Sequence, residues 1–422
     1  MKFEELEIDN RIKEGIESFN YEELTKIQEI VIPVIISGID LLACSQTGSG
    51  KTAAFLIPII ESILKSDRKG TKALIITPTR EICMQIEEQI SGIGYFTDIS
   101  YLAVYGGNDQ DSFSRQKSAL TNGADIIVAT PGRLISHLGL GYFNLKELEF
   151  LVLDEADEML DMGFYPDIIN IISNLPVKRQ NLMFSATMPQ EIRKLAKEIL
   201  ENPEVVDLNF SKPAVEIEQK AYLVFEKDKQ SLLVSVLKDY PEQKILIFVS
   251  TKLNVGKISS FLKMNRIKHS AINSSFSQSE RNETVLSFKS GQINVLVATN
   301  LLSRGIDIED VNLIINYDIP EKAEDYVHRI GRTARAGKLG LAISLISEFD
   351  INKFNRIEKL LNRIIVKLNL PEGFRGAPQY SVRSTKKSGR NFKKTNFKRI
   401  DDNSGNKQHK RFNPSRKRNS GN

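Results

Sequence analysis

Short, unbroken apolar runs recur along the chain and alternate with longer segments of helical spacing. In the first half they fall at residues 41–44, 73–77, 126–129, 150–153 and 182–185. Runs that are continuous rather than alternating mark strands buried on both faces, which is the condition of a parallel sheet flanked by helices. The pattern then restarts at 245–249, 269–272, 295–298, 313–316 and 342–346. Between the two sets lies a polar stretch containing Pro213, suited to a linker. The expected organisation is an α/β domain over 1–208, a linker over 209–218, a second α/β domain over 219–370 and a tail over 371–422.

Composition agrees with two folded cores. At 422 residues the chain is two to three times a typical domain, and 41% hydrophobic with 26% charged residues is ordinary for a globular protein. The tail differs. It carries 15 Lys and Arg against 3 Asp and Glu, a net of +12, which leaves −7 for residues 1–370. Rich in Asn, Ser, Gly and Gln, it is expected to be disordered. Phe392, Phe397 and Phe412 stand among its cations, so phosphate neutralisation and base stacking make it an auxiliary RNA-binding arm; a solvating tail is the alternative. The start shows no apolar leader and no stretch reaches the roughly 18 apolar residues of a membrane span, so a cytoplasmic, non-membrane protein is expected, as a monomer. Cys44 and Cys83 are too few for a disulfide framework and read as small buried fillers. His137, His269, His328 and His409 lack metal-ligand spacing.

In open parallel sheets ligands bind beyond the carboxyl ends of the strands. After the first run comes Ser45-Gln46-Thr47-Gly48-Ser49-Gly50-Lys51-Thr52, followed by a helical segment. Glycines let backbone N–H groups wrap phosphate oxygens at a helix N-terminus, Lys51 reaches the β- and γ-phosphates, and the Thr52 hydroxyl can ligate Mg²⁺. Ser45 stands where the strict pattern has its first glycine. The run at 150–153 leads into Asp154-Glu155-Ala156-Asp157. An acidic helix cap accounts for Asp154 alone but not for three acids. Beside a phosphate loop, Asp154 becomes the Mg²⁺ partner and Glu155 the base or positioner for the attacking water.

Asp-Glu-Ala-Asp beside that loop resembles the DEAD-box RNA helicase family of superfamily 2, bacterial type, and the likeness runs from residue 3 to about 350. Its signature segments appear in order as Thr25 with Gln28, the phosphate loop, Pro78-Thr79-Arg80-Glu81, Gly106-Gly107, Thr130-Pro131-Gly132-Arg133, Asp154 to Asp157 and Ser185-Ala186-Thr187. Gln278 with Arg281, Ala298-Thr299, Arg304-Gly305-Ile306-Asp307 and the stretch from His328 to Arg335 follow. The resemblance implies two tandem RecA-like domains with ATP held between them. It implies that Gln28 reads adenine, whose N6/N7 edge matches a primary amide, with Tyr21 and Phe3 nearby and Asp307 on the ribose. Without the resemblance Gln28 reads as an ordinary surface glutamine.

Arg329, Arg332 and Arg335 stand too close together for a core, and a γ-phosphate in the opposite domain gives them a purpose. Arg332 and Arg335 are the candidate arginine fingers. Thr79, Arg80, Gly107, Thr130 and Arg133, with Thr299 in the second half, suit sugar-phosphate contact without base readout; each alone is equally a turn with a helix cap. RNA rather than DNA rests on the resemblance. Ser185 and Thr187 couple Asp157 to domain closure or cap the helix before Pro189, and His328 joins this coupling set. Leu24 and Lys26 stand where the family has proline, Asn300 where it has Asp and Ala334 where it has Gly. The expected activity is RNA-stimulated ATP hydrolysis coupled to local unwinding of short duplexes or RNP remodelling, with ribosome-assembly or RNA-decay proteins as conceivable partners. A DNA translocase and a passive ATP-locked RNA scaffold are the rival readings.

Overall fold

The computed structural model describes residues 1–19, 21–45, 48–66, 70–107, 110–208, 217–273, 275, 276, 278–299, 311–333 and 340–381, with backbone alone at 110, 111 and 278. Gln46, Thr47, Asn300, Arg304, Asp307, Ala334, Arg335, the side chain of Gln278, residues 209–216 of the expected linker and residues 382–422 of the tail lie outside the described residues.

Two seven-stranded parallel sheets make up the described chain, each flanked by helices. The first contains β1 (Leu41–Cys44), β2 (Ala73–Ile76), β3 (Tyr101–Val104), β4 (Ile126–Ala129), β5 (Phe150–Leu153), β6 (Gln180–Ser185) and β7 (Glu204–Asp207). The second contains β8 (Ile217–Leu223), β9 (Ile245–Val249), β10 (Ser270–Ile272), β11 (Val295–Thr299), β12 (Leu313–Asn316), β13 (Gly340–Ile346) and β14 (Val366–Leu368). Their orders are β3-β4-β2-β5-β6-β1-β7 and β10-β11-β9-β12-β13-β8-β14, so the second sheet repeats the first strand for strand. All ten expected strands form, displaced at their ends by two residues or fewer.

The continuous apolar runs follow from the two-sided burial. In β1, Leu41 and Ala43 feed the core under one face while Leu42 feeds the other; in β2, Ala73 and Ile75 oppose Leu74 and Ile76. The second sheet divides its strands the same way. Cys44 and Cys83 are buried fillers; burial pushes the Cys44 thiol up to about 12, and the Cys83 Sγ donates to Val128 O at 3.1 Å. Among the described residues no helix is long and apolar enough to cross a membrane.

The strands without a continuous run in the sequence are β3, β7 and β14 at edges and β8 beside one. In β8, Ile217, Gln219 and Ala221 are buried while Glu218 is exposed, and in β7 only Val206 is buried. The expected tail start at 371 also shifts: Phe374 and Tyr380 pack against the cores of the second sheet, and Tyr380 Oη donates to Glu358 Oε2 at 2.5 Å.

Candidate functional site

The strand order decides what meets what. β5, β6 and β1 are neighbours in the first sheet, so Asp154, Ser185 and Ser45 sit at three adjacent carboxyl ends. Ser45 N donates to Ser185 O at 3.0 Å, which seams the phosphate loop to β6. Ser45 also bonds through its hydroxyl to Ser49 Oγ at 2.9 Å, while its carbonyl accepts from Lys51 Nζ at 2.8 Å. A serine at this position therefore cross-links the loop from within. Lys51 opens the helix Lys51–Lys65 and is buried; Thr52 is half-buried behind it.

Gly48 and Gly50 have φ of +78° and +94°, a conformation that costs a side-chain-bearing residue strain. At Gly50 space is also short: an added Cβ would lie 2.6 Å from Gln28 Nε2 and 2.9 Å from Thr25 Oγ1. Gln28 is 3% exposed, contrary to a surface glutamine. Its Oε1 accepts from Thr25 N at 2.8 Å and its Nε2 donates to Gly50 O at 3.1 Å, so the amide ties the first turn of the helix Lys26–Ile36 to the phosphate loop. These two bonds use one lone pair and one N–H of the amide. Tyr21 is 38% exposed and stacks on Phe19 at 5.5 Å and on Phe3 at 6.2 Å. Phe3 is a core residue, so Tyr21 presents the ring to solvent.

Asp154 follows β5 and is buried; burial pushes its carboxyl up to about 7, against the pull of Lys51. A buried carboxylate that resists ionisation until a cation arrives suits a metal-ligating role. Its Oδ1 accepts from Glu155 N at 3.0 Å. Glu155 sits at φ 51°, ψ 49°, a left-handed conformation at the N-cap of the helix Ala156–Asp161 that turns its half-buried side chain away from the helix path.

Asp157, on that helix, is the hub of the coupling set. Its Oδ2 accepts from Thr187 Oγ1 at 2.7 Å and from Thr187 N at 2.9 Å, and Oδ1 accepts from Ala186 N at 3.4 Å. Ser185 Oγ donates to Thr187 O at 2.6 Å. Across the gap between the sheets, His328 Nε2 lies 4.0 Å from Asp157 Oδ2. Burial acts to raise the Asp157 carboxyl, but His328, the Thr187 hydroxyl and Lys51 outweigh it and hold the group below the usual carboxylate range. Thus Asp157, Ser185, Thr187 and His328 do come together, and Ser185 and Thr187 spend their hydroxyls on this cluster.

Among the described residues two further ion pairs join the lobes, and neither pairing was foreseen from the sequence. Lys322 Nζ pairs with Asp161 Oδ1, and Arg281 Nη1 lies 3.6 Å from Glu81 Oε1. Glu81 and Arg281 each stand in a signature segment but nothing in the sequence paired them, and for Lys322 and Asp161 charge was the only signal, too common on a surface to single out a pair.

The arginine cluster needs correction. Arg329 is 3% exposed in the second lobe, donating to Asn316 Oδ1 at 3.2 Å and Asp318 O at 2.7 Å, with its guanidinium 5.0 Å from the Phe248 ring centre. A guanidinium can be a core residue when carbonyls and a ring replace its water. Arg332 is also largely buried, just past the helix Ala323–Ile330 that carries His328.

The other half of the first sheet's carboxyl edge is made by β3, β4 and β2. It carries Gly107, Thr130 with Arg133, and Thr79 with Arg80. Thr79 caps the helix Arg80–Ile93 by accepting from Ile82 N at 3.4 Å. Arg80 lies 4.7 Å from the Tyr105 ring centre, and a Cβ on exposed Gly107 would be 3.2 Å from Arg80 Nη1. Arg133 donates through Nε to Gln116 Oε1 at 2.8 Å and through Nη2 to Ser112 Oγ at 3.1 Å, so part of its fork is spent inside the protein. Thr299 ends β11 and is buried at 8% exposure, on the other sheet.

The family model for DEAD/DEAH box helicases matches residues 25–195, and that for the helicase conserved C-terminal domain matches 228–337. The ATP-dependent RNA helicase CshA of Listeria monocytogenes is 40% identical over 381 residues, covering 89% of this chain and 72% of that protein. DbpA of Bacillus subtilis, also named an ATP-dependent RNA helicase, is 40% identical over 370 residues, 87% of this chain and 76% of its own length. Among solved structures, Saccharomyces cerevisiae Dbp5 bound to RNA and ADP BeF3 superposes with a TM-score of 0.76 at 29% identity, over 87% of this chain and 95% of that one. A DEAD box protein from Methanococcus jannaschii gives 0.54 at 39% identity, over 87% and 99%. With family models matched in both lobes and relatives 40% identical over most of the chain, this chain belongs to the DEAD/DEAH box helicase family.

Proposed function

We propose that this chain, an ATP-dependent RNA helicase, hydrolyses ATP at the seam of its two lobes and uses closure of that seam to grip and release single-stranded RNA. The observation that carries the reading is the contact of Asp157 with the Ser185-Ala186-Thr187 segment on one side and His328 on the other. Through it the acidic cluster at the phosphate loop registers whether the second lobe is docked.

The residues divide the work. Lys51 and the loop backbone from Gly48 to Thr52 hold the phosphates, with Gln46 and Thr47 continuing the cradle; Gln28 holds the adenine edge beside Tyr21. Thr52 and Asp154 would hold Mg²⁺, which when bound neutralises charge on the β- and γ-phosphates. Glu155 takes the proton of the attacking water as its oxygen bonds to the γ-phosphorus and the bond to the β-phosphate oxygen breaks. Arg332 and Arg335 face the charge that builds on the transferred group and Asp307 holds the ribose. The first-lobe loops carrying Thr79, Arg80, Gly107 and Thr130, with Thr299 opposite, hold the RNA backbone, and Arg133 adds positive potential behind them.

Closure is supported by the comparison of neighbours. The better superposition is with the less similar sequence, the one bound to RNA and ADP BeF3, which is the outcome a docked pair of lobes would give. Because a ligand shifts a two-state equilibrium only by its differential affinity, ATP and RNA must both favour the docked state. The test is phosphate release with and without single-stranded RNA for the full chain, Glu155→Gln and Arg332→Ala. The reading requires RNA stimulation in the full chain, and its loss in both variants with RNA binding retained in Glu155→Gln. Equal rates with and without RNA in the unaltered chain would sink it. We further assign the work to the cytoplasm.

A further inference from the structure

Behind the loops read above as the RNA face lies a polar knot centred on Gln116, in the helix Gln110–Asn122. Gln116 is 8% exposed, and its amide joins three elements. Its Nε2 donates to Tyr105 O, at the end of β3, at 3.1 Å. Its Oε1 accepts from Arg133 Nε at 2.8 Å and bonds with His137 Nε2 at 3.1 Å, both in the helix Pro131–Leu138. The amide orientation is fixed twice over, since a carbonyl must face the NH₂ and a guanidinium must face the oxygen. It follows that His137 carries its proton on Nε2, leaving Nδ1 to accept from Tyr142 Oη. Phe113, from the same helix as Gln116, stacks on His137 at 4.2 Å and lies 4.5 Å beneath the Arg133 guanidinium. Burial and the nearby Arg133 charge push His137 down to about 4, so it stays neutral and adds no competing cation.

We infer that Gln116 is a positioning residue for RNA: it sets the spacing between the Tyr105–Gly107 loop and the Thr130–Arg133 turn, so that the sugar-phosphate chain meets a preformed cradle. This rests on the reading that those two segments face RNA. The residue type is informative. An amide holds the Arg133 guanidinium by an acceptor without cancelling its charge, which a carboxylate at the same place would do. Arg80 is drawn into the same arrangement, because the Tyr105 residue that it covers is anchored through its carbonyl to Gln116. Preorganisation of this kind raises affinity by removing the ordering cost at binding.

The experiment uses the full chain with Gln116→Ala, the near-isosteric Gln116→Met, which keeps the packing if the alanine variant fails to fold, Gln116→Glu, and a Thr79→Ala/Thr130→Ala double variant as a direct probe of the RNA face. RNA-stimulated hydrolysis is titrated with single-stranded oligoribonucleotide and with ATP separately. The expected result for Gln116→Ala and Gln116→Met is a rise in KM for RNA of about tenfold, as loss of one charge-assisted hydrogen bond produces, with KM for ATP unmoved. Gln116→Glu keeps an acceptor for Arg133 but loses the donor to Tyr105 O and cancels the Arg133 charge, so KM for RNA should rise there too, with KM for ATP unmoved. In Gln116→Glu the salt dependence of RNA binding should also flatten. If the double variant weakens RNA binding while Gln116→Met does not, the RNA face stands and the positioning role is overturned. If neither moves KM for RNA, the RNA-face reading itself fails. A parallel rise in both KM values would show a merely structural role and overturn the inference.

Discussion

Replacing Asp157 by asparagine tests the link between chemistry and closure. The wild-type carboxylate accepts two bonds from Thr187, at 2.7 and 2.9 Å, and faces His328 at 4.0 Å. In the variant one oxygen becomes an NH₂, which meets a backbone N–H or a hydroxyl donor whichever way the amide turns. A bond to a charged acceptor is worth about 1.5–3 kcal/mol, and leaving its buried donor unsatisfied adds to the loss. The pair with His328 contributes only when the imidazole is protonated, and at an effective dielectric of about 20 its Coulomb energy is bounded near 4 kcal/mol. The Thr187 bonds lie within the first lobe and bear on its stability; the docked state loses the pair with His328, and about 3 kcal/mol of that bound corresponds to roughly 150-fold in its population. Steady-state phosphate release should then show RNA-stimulated turnover reduced by about that factor. Stability carries a second signature. Asp157 is held below its ordinary range, so its contribution is fully present above that range and is lost as pH falls through the lowered value. Urea unfolding should therefore show the gap between wild type and Asp157→Asn narrowing as pH drops into and below the carboxylate range. Wild-type stimulation in the variant, or a gap that stays constant with pH, would refute the reasoning.

Gly50→Ala should cost more than its one methyl suggests: the φ of +94° carries about 1 kcal/mol of strain and the new Cβ pushes Gln28 off the loop, so fluorescent ATP affinity should fall tenfold or more while thermal unfolding shifts by only a few degrees. Lys322→Glu should weaken docking by only about two- to fivefold, as both partners are partly exposed, and adding Asp161→Lys should restore it, read from KM for RNA. No recovery in the swapped pair would show that this bridge does not act in closure.

The two α/β lobes were legible because parallel strands buried on both faces need continuous apolar runs, and each of the ten runs became a strand. The phosphate loop and the acidic cluster were legible because their chemistry is local: glycines, a lysine and carboxylates within a few residues of a strand end. The edge strand β7 and the penultimate strand β8 were not, since β7 buries only Val206 and β8 alternates, and neither pattern stands out without its neighbour in the sheet. Nor could the chain alone tell Arg329 from Arg332: three arginines in seven residues look like one solvated face until the fold places Asn316, Asp318 and Phe248 around one of them. Apart from the family resemblance Gln28 passed for a surface residue, and Gln116 passed for nothing at all, because an amide acquires meaning only from the carbonyls and guanidinium that the fold brings to it. Sequence determined which groups could do chemistry; the order β3-β4-β2-β5-β6-β1-β7 decided which of them meet, since hydrogen bonds act over about 3 Å and their partners here stand up to 161 residues apart along the chain.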